Sequence, residues 1–409
     1  MPPISKRGQN AYASPIRKLT PFADQAKKAG KTVLHLNIGQ PDIATPPAAL
    51  QKVREIPVKT LAYSPSAGIR SYREKLPTYY RQFGIQLAPD DFIVTTGASE
   101  GIFFAMLACL DPGDAVLSPE PLYANYIGFA EMAGIRLKPI PTHIENGFAL
   151  PEVADFQRAI TPDVKAILLC NPNNPTGVVY PEKMLRQLAE IAAERDIFLW
   201  SDEVYREFCY GDTPFFSALE LPGMEQNIVV FDSVSKRYSA CGARVGAVVS
   251  RNREVLNTIL RYAETRLSPP SFGQMLGEAM LETDAAYFET VKNEYQRRRD
   301  LLFARLRQMP GVTCYRPDGA FYVFAKLPVD SGDRFCRWLL EEFSLDNQTV
   351  MLAPGSGFYA TPGAGRQEVR IAYVLNLADL GRAMDCLERA LEVYPGRVEV
   401  GAEDLEAVA

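Results

Sequence analysis

The sequence predicts an α/β protein with a mostly parallel sheet in a large domain, followed by a smaller α+β domain. Between residues 92 and 250, short β-rich runs alternate with longer helix-like runs, a pattern typical of a parallel sheet covered by helices on both faces. From about residue 285 the pattern changes to a long charged helix, paired strand candidates and an amphipathic helix. Ligands of such sheets bind at the carboxyl ends of the strands, so candidate functional residues are sought there.

The elements and domains are predicted as follows. The strand candidates of the large sheet lie at 92–95, 114–118, 165–170, 197–201, 227–231 and 244–250, with helix candidates at 98–110 and 181–195. The smaller domain has a helix candidate through 294–307, strand candidates at 320–327 and 368–375, and a helix candidate at 378–393. We predict an N-terminal arm and part of the small domain at 1–50, the large domain at 51–285, the small domain at 286–395 and an acidic tail at 396–409.

Composition argues against several classes of protein. The chain of 409 residues has 44 basic and 49 acidic side chains, a net charge of -5, and no Lys/Arg cluster dense enough to neutralise a nucleic-acid backbone. Its seven cysteines are scattered and never form a Cys-x-x-Cys pair, which argues against a disulfide framework or a metal site and favours the cytoplasm. No apolar stretch is long enough for a membrane span. With only His35 and His143 present, we expect acid–base chemistry to use other side chains.

A lysine follows the strand candidate 227–231 in a segment rich in hydroxyl groups. The segment reads Asp-Ser-Val-Ser-Lys-Arg, which places Lys236 beside Ser233 and Ser235, and Arg244 follows eight residues later. Hydroxyl groups and an arginine fork suit a phosphate monoester, and a lysine amine held near them suits a carbonyl. The combination indicates a pyridoxal-phosphate site, although the segment taken alone is more often a solvated loop.

A carboxylate and a tyrosine follow the strand candidate 197–201. Asp202 lies where a ring nitrogen would meet it, and such a pair keeps a pyridine nitrogen protonated so that the ring withdraws electrons. Tyr205, three residues later, is in reach of a phenolate oxygen. A helix cap is an equally good local interpretation of Ser201 and Asp202.

Two further turns follow strand candidates. Residues 171–177, Asn-Pro-Asn-Asn-Pro-Thr-Gly, form a rigid turn whose Asn174 amide can point inward. Residues 97–101, Gly-Ala-Ser-Glu-Gly, open a helix whose first N–H groups suit a phosphate. They also match the Gly-x-Ser-x-Gly elbow of serine hydrolases, which makes Ser99 a candidate nucleophile. That triad needs a downstream acid followed by a histidine, and only His143 lies downstream.

These segments, in this order and spacing, resemble a known family. Together with Asn-Ile-Gly-Gln-Pro-Asp at 37–42, Tyr-Ser-Pro-Ser-Ala-Gly at 63–68 and Val-Arg-Ile-Ala-Tyr at 369–373, they resemble the class I/II aminotransferases of the fold-type I pyridoxal-phosphate superfamily. The likeness is greatest to the prokaryotic aspartate-aminotransferase-like group and runs from about residue 33 to 395. It implies a seven-stranded sheet and an enzyme that moves the amino group of an L-amino acid to a 2-oxo acid, with 2-oxoglutarate as the expected acceptor.

The resemblance also implies roles for single residues around pyridoxal 5′-phosphate. Lys236 carries the cofactor as a Schiff base and then moves a proton at the substrate α-carbon. Asp202 pairs with the pyridine nitrogen, and Tyr205 and Asn174 bind the 3′ oxygen. Tyr123 stacks on the ring.

The remaining implied contacts bind the phosphate and the substrate. The phosphate ligands are Ser233, Ser235, Arg244, the N–H groups of Ala98 and Ser99, and Tyr63 of a second subunit. This last contact implies a homodimer. For the substrate, the resemblance implies that Arg370 binds the α-carboxylate bidentately, that Asn174 also contacts the substrate and that Gly39 permits close approach.

The amino donor stays open at this level. Glu100, if it lined the side-chain pocket, would repel a dicarboxylic donor unless Arg261 or Arg266 compensated for its charge or it pointed into the helix. The donor is aspartate by the family's commonest activity, and basic, aromatic or aliphatic amino acids are equally compatible. A C–S β-lyase of the same fold is the alternative enzyme, a ligand-sensing regulator is a further one, and a serine hydrolase using Ser99 is the remote one.

Overall fold

The computed structural model describes residues 2–9 and 11–398. The α-helices among them are α1 (Lys6–Gln9), α2 (Thr20–Lys28), α3 (Pro47–Arg54), α4 (Arg70–Arg81), α5 (Gly97–Cys109), α6 (Asn125–Ala133), α7 (Val153–Ala159), α8 (Glu182–Glu194), α9 (Val234–Arg237), α10 (Arg253–Arg266), α11 (Ser271–Met280), α12 (Ala285–Gln308), α13 (Gly332–Glu341) and α14 (Leu377–Val393). Short 3-10 helices lie at Pro89–Asp91, Ile144–Asn146, Ala218–Glu220, Cys241–Ala243 and Gly355–Phe358. No helix in these ranges is long and apolar enough to cross a bilayer.

The strands form one large sheet and two smaller ones. They are β1 (Thr32–His35), β2 (Phe92–Thr95), β3 (Ala115–Glu120), β4 (Arg136–Pro141), β5 (Val164–Cys170), β6 (Phe198–Asp202), β7 (Ile228–Ser233), β8 (Gly246–Val249), β9 (Thr313–Cys314), β10 (Tyr322–Lys326), β11 (Gln348–Met351), β12 (Ala353–Pro354) and β13 (Glu368–Ala372). The large sheet has seven strands in the order β2-β8-β7-β6-β5-β3-β4. Only β8 runs against its neighbours within this sheet, so the predicted mostly parallel sheet is confirmed.

Alternating side chains of the central strands fill two separate cores. In β7, Val229 and Phe231 belong to the core on one face of the sheet, and Ile228 and Val230 belong to the core on the other. All six residues of β7 are buried. The sheet is therefore covered on both faces, which is why its strands read as continuous apolar runs in the sequence.

The sequence missed one strand of the large sheet. β4 lies at the edge, and its residues Arg-Leu-Lys-Pro-Ile-Pro are mostly exposed or half-buried. Prolines are tolerated at a sheet edge because one side of the strand needs no hydrogen bonds. A polar strand with two prolines lacks the apolar pattern that identified the other strands.

The N-terminal segment joins the C-terminal part of the chain through β1, which pairs in parallel with β11. The four-stranded sheet has the order β12-β13-β10-β9, with β10 and β13 antiparallel as neighbours. This arrangement is compatible with the predicted division at residues 50, 285 and 395, which stays a prediction. Most of the predicted acidic tail, 399–409, lies outside the described residues.

The carboxyl ends of β2, β5, β6 and β7 lead into the turns that carry the predicted site residues. The first residue of strand β8 lies close to two of these turns. An ideal Cβ at Gly246, the first residue of β8, would lie 2.5 Å from the Asp232 carbonyl oxygen and 2.6 Å from the Ala98 nitrogen. Glycine is required at this position because both neighbours are backbone atoms that cannot move aside.

We expect Gly246→Ala to destabilise the protein by about 1–3 kcal/mol, because the added methyl group overpacks a rigid backbone junction. Gly242→Ala is the matched control, since a Cβ at Gly242 would meet nothing within 4 Å. Urea unfolding of both variants measures the effect. Equal stability of the two variants would show that β8 shifts without cost.

Candidate active site

Lys236 lies on the short helix α9, directly after the carboxyl end of β7. Ser233 caps this helix, and its hydroxyl accepts a hydrogen bond from the Ser235 N–H at 3.1 Å. The Lys236 ammonium donates to the Gly39 carbonyl at 2.8 Å and lies 5.9 Å from the ring centroid of Tyr205. The structure therefore brings the predicted lysine next to Gly39 and Tyr205.

Arg370 on β13 reaches the same place from the four-stranded sheet. Its guanidinium donates to the Asn174 side-chain oxygen at 2.8 Å and to the Asn37 carbonyl at 2.6 Å. The guanidinium carbon lies 4.4 Å from the ring centroid of Tyr322 and 4.8 Å from that of Phe358. Its Nε atom is buried without a hydrogen-bond partner, so the buried cation keeps a donor available for an anion.

Asp202 ends β6 and is buried with only one of its oxygens paired. The Tyr126 hydroxyl donates to Oδ2 at 2.7 Å, whereas Oδ1 has no hydrogen-bond partner. Burial raises the pKa of Asp202 to about 6, against the opposing effects of the Tyr126 hydroxyl and the Val204 N–H. A buried, unpaired carboxylate oxygen is costly unless a donor completes it, so this atom marks a place for a ligand N–H.

Tyr205 and Asn174 come together beside the lysine. The Asn174 amide donates to the Tyr205 hydroxyl at 3.5 Å, and this hydroxyl lies 2.8 Å from that of Tyr322. Burial and the neighbouring Tyr322 raise the pKa of Tyr205 well above its usual value. Tyr205 is therefore a neutral hydrogen-bond donor at physiological pH.

An anion cradle lies between β7, β8 and the first turn of α5. The Ser233 and Ser235 hydroxyls lie 2.8 Å apart. Arg244 adopts a left-handed backbone (φ 52°), and its side chain passes so close to Gly97 that a Cβ there would lie 2.4 Å from it. No side chain caps α5, which leaves its first N–H groups, including those of Ala98 and Ser99, available to an anion.

Two predicted residues lie at the margin of this group. Tyr123 follows β3, is partly buried, and packs edge-on against Tyr126 with ring centroids 5.3 Å apart. Tyr123 therefore lies next to Tyr126, the residue that donates to Asp202. Tyr63 is 79% exposed, and its side chain projects from the surface of the single chain.

Glu100 is paired close to the first turn of its own helix. Its carboxylate accepts from the Thr96 N–H at 2.8 Å and lies 3.4 Å from Arg266 Nε. The sequence left open whether Glu100 points into its helix or is compensated by an arginine. In the structure it does both, since it turns back onto its helix and pairs with Arg266. Its negative charge is compensated locally.

A buried ion pair supports the turn that carries the lysine. Asp232 accepts two hydrogen bonds from Arg237, at 2.6 and 3.0 Å, one from the Tyr80 hydroxyl at 3.0 Å and one from the Ser233 N–H at 2.8 Å. Burial alone would raise the pKa of Asp232, but Arg237 and Arg206 outweigh it and hold this pKa well below its usual range. The turn is therefore fixed on both sides of Lys236.

Three residues of this site, Tyr126, Tyr322 and Asn37, were not predicted from the sequence. Tyr126 lies in the first turn of α6, three residues after Tyr123, whose ring packs edge-on against it. Asn37 precedes Gly39 within a segment already noted for its resemblance. Tyr322 gave no local signal, because its role depends on contacts with residues far away in the sequence.

The hydrolase alternative lacks its base. Within the described residues, no hydrogen bond joins Ser99 to a histidine. His35 contacts Asn37, and His143 lines a separate cavity of about 760 Å³ with Glu120 and Glu368. Ser99 belongs instead to the anion cradle at the start of α5.

Comparisons with known proteins identify the class. The chain is 32% identical to an aspartate aminotransferase of Pyrococcus horikoshii over 92% of this chain and 94% of that protein. It is 30% identical to aromatic-amino-acid aminotransferase 2 of Thermococcus litoralis over 95% of this chain and 98% of that protein. Its fold matches the solved aspartate aminotransferase of Thermus thermophilus with maleate at a TM-score of 0.86 and 30% identity, over 96% and 100% of the two chains. The protein is an aminotransferase, an enzyme that transfers amino groups.

The family is equally clear. The family model for aminotransferase class I and II matches residues 31–387, and the chain belongs to this family. The predicted family resemblance and the fold-type I architecture are thus confirmed.

We expect Asp202 to make the stability of the cofactor-free protein depend on pH. Because its pKa is raised to about 6 from an unfolded value of about 3.9, ionisation costs stability as pH rises through this window. Between pH 4 and pH 7 the free energy of unfolding of the wild type should fall by roughly 2–3 kcal/mol relative to Asp202→Asn, which cannot ionise. Urea unfolding across this range measures the difference, with exposed Asp111→Asn as the control. Parallel profiles for the wild type and Asp202→Asn would contradict the expectation.

Proposed function

We propose that the protein binds pyridoxal 5′-phosphate at this site and moves the amino group of an L-amino acid to a 2-oxo acid, with 2-oxoglutarate as the acceptor. The observation that carries the proposal is the unpaired Oδ1 atom of buried Asp202, in a site that also holds Lys236. When bound, the cofactor supplies an electron-withdrawing ring that makes the α-proton of an amino acid acidic.

The residues fit four separate parts of this cofactor. Asp202 Oδ1 would accept a hydrogen bond from the protonated ring nitrogen, and Tyr205 and Asn174 would donate to the 3′ oxygen. Tyr123 would stack on the ring. The phosphate would be bound by a group with two hydroxyls, one guanidinium and two N–H groups: Ser233, Ser235, Arg244, Ala98 and Ser99. Each donor is of a type that charged phosphate oxygens prefer.

The chain's own residues would orient the amino acid and move its proton. Arg370 would bind the α-carboxylate, using donors such as its unpaired Nε. Lys236 Nζ would take the proton from the α-carbon and return it to the product, because it is the one basic amine beside Gly39 and Tyr205 in the described site. Burial of Arg370 would exclude water and strengthen its attraction for the carboxylate.

The amino donor we propose is of the aspartate type. It is supported by the names of the similar proteins from Pyrococcus horikoshii and Thermus thermophilus, and by the local pairing of Glu100 with Arg266. An aromatic donor is the first alternative to test, because the aromatic-amino-acid aminotransferase of Thermococcus litoralis is similar to nearly the same degree. We also propose a cytoplasmic location, supported by the seven free thiols.

Absorbance spectra of the purified protein with added cofactor test the proposal. We expect a visible band that is lost on addition of the true amino donor and restored by 2-oxoglutarate, with aspartate, alanine, phenylalanine and lysine as the donor panel. Lys236→Ala should retain cofactor through the phosphate ligands but lose this interconversion by at least about 10³-fold. Lys183→Ala, which changes an exposed lysine on α8, is the control.

Two outcomes would contradict the assignment. A wild-type protein that acquires no visible band, even in excess cofactor, would overturn cofactor binding. Release of pyruvate or ammonia without formation of an aminated acceptor would point to the lyase alternative instead.

We further propose a homodimer in which Tyr63 contacts the phosphate in the partner's site. An exposed apolar patch, formed by Leu61, Tyr63, Leu267 and Phe272, supports this arrangement. Its two segments are tied together by the hydrogen bond from the Ser66 hydroxyl to the Leu267 carbonyl at 2.6 Å. A twofold dimer would cover this patch and bring Tyr63 out of solvent.

Subunit mixing tests this arrangement. Lys236→Ala and Tyr63→Ala should each be strongly impaired as homodimers, whereas co-expression should restore about a quarter of wild-type activity, since half of randomly paired dimers carry one intact site. If Tyr63 acted within its own chain, each mixed dimer would contain two defective sites. Activity at or below the average of the two parent variants would therefore overturn the shared site.

A further inference from the structure

Tyr322 lies between the residues proposed to bind the cofactor and the residue proposed to bind the substrate. It begins β10, and its side chain is buried. Its hydroxyl lies 2.8 Å from the hydroxyl of Tyr205, and its ring centroid lies 4.4 Å from the guanidinium carbon of Arg370. One side chain thus contacts both halves of the site.

We propose that Tyr322 is a positioning residue with two separable functions: its hydroxyl strengthens the hydrogen bond that Tyr205 donates to the cofactor's 3′ oxygen, and its ring fixes Arg370 for the substrate carboxylate. The inference rests on the proposed function, because it takes the 3′ oxygen and the carboxylate as the ligands of Tyr205 and Arg370.

The direction of the hydroxyl pair follows from proton counting. A phenol has one proton to donate. If Tyr205 donates its proton to the 3′ oxygen, the contact between the two hydroxyls can only be a hydrogen bond from Tyr322 to the Tyr205 oxygen. Accepting a hydrogen bond polarises the Tyr205 O–H group and makes it a stronger donor.

The space around the Tyr322 hydroxyl is kept by Gly39. An ideal Cβ at Gly39 would lie only 1.7 Å from this oxygen and 2.4 Å from Cζ of the ring. The absence of a side chain at residue 39 therefore makes room for Tyr322, in addition to its predicted part in admitting the substrate. Since Lys236 donates to the Gly39 carbonyl, the same glycine connects Tyr322 to the lysine.

The ring acts on Arg370 through a cation–π contact. The Tyr322 and Phe358 rings both lie against the guanidinium, which is also held by Asn174 and Asn37. A desolvated cation over an aromatic face is strongly held. Substitution by Phe removes the hydroxyl and keeps the ring, whereas substitution by Leu removes both.

The hydroxyl is tested by the pH midpoint of the visible absorbance band of the cofactor-loaded enzyme. A strong donor at the 3′ oxygen stabilises negative charge there. It therefore favours the state in which Lys236 Nζ has lost its proton and lowers the pH midpoint of the band. We expect Tyr322→Phe to raise the midpoint by roughly half a pH unit. Tyr373→Phe is the matched control, because its buried hydroxyl donates to the Ala320 carbonyl and contacts neither Tyr205 nor Arg370 through a hydrogen bond.

The ring is tested by steady-state kinetics. Tyr322→Phe should change KM for the amino donor and the 2-oxo acid by less than about twofold, whereas Tyr322→Leu should raise both KM values roughly tenfold. Circular dichroism of each variant checks that the fold is kept. A KM increase shared equally by Tyr322→Phe and Tyr322→Leu would overturn the separation of functions.

The outcomes distinguish this inference from the proposed function. If the wild type shows no visible band, the proposed function fails and the role of Tyr322 falls with it. If the wild-type band titrates but its midpoint is the same in Tyr322→Phe, or moves equally in Tyr373→Phe, only the inference about the hydroxyl is overturned. If Tyr322→Leu leaves both KM values unchanged, the inference about the ring is overturned.

Discussion

The site depends on the buried ion pair between Asp232 and Arg237. Asp232 and Arg237 lie on either side of the Ser233–Lys236 turn, and their bidentate contact fixes where Lys236 leaves the sheet. A second buried pair, Arg206 with Glu203, lies next to it, with the Arg206 guanidinium 4.7 Å from the Tyr80 ring centroid. Removing one member of such a pair leaves an uncompensated buried charge. Each partner is therefore held in place by the other. The turn is held in place because its supports are charged, buried and paired with each other.

Two neighbouring strands end in carboxylates whose environments shift their pKa values in opposite directions. Asp232 at the end of β7 is surrounded by donors, and its pKa is lowered. Asp202 at the end of β6 has one hydroxyl partner and a free oxygen, and its pKa is raised to about 6. The same side chain thus serves structure where its hydrogen bonds are complete and is available to a ligand where they are not. The number of hydrogen-bond partners distinguishes Asp202 from Asp232, whereas burial does not, because both side chains are buried.

The predictability of each element depended on whether its signal was local. The central strands and the turns after them were predicted because buried parallel strands are continuous apolar runs and their ends carry unusual polar residues. Edge strand β4 was missed because it is polar and contains prolines. Motifs named Lys236, Asp202 and Arg370 as candidate site residues. Tyr322 was not named, since its contacts with Tyr205 and Arg370 span more than a hundred and nearly fifty residues, respectively.

The residues of the proposed site come from two sheets, and this division has a physical consequence. The seven-stranded sheet supplies the lysine and the proposed cofactor ligands, whereas β13 supplies Arg370 and β10 supplies Tyr322. The contact of Arg370 with Asn174, and that of Tyr322 with Tyr205, are therefore bonds between the two halves. A substrate carboxylate that displaced Asn174 from Arg370 would replace this contact between the seven-stranded and four-stranded sheets with one made through the substrate. If Arg370 binds the carboxylate as proposed, its binding energy is coupled to the position of the residues around the lysine, and loss of the carboxylate contact should impair chemistry as well as binding.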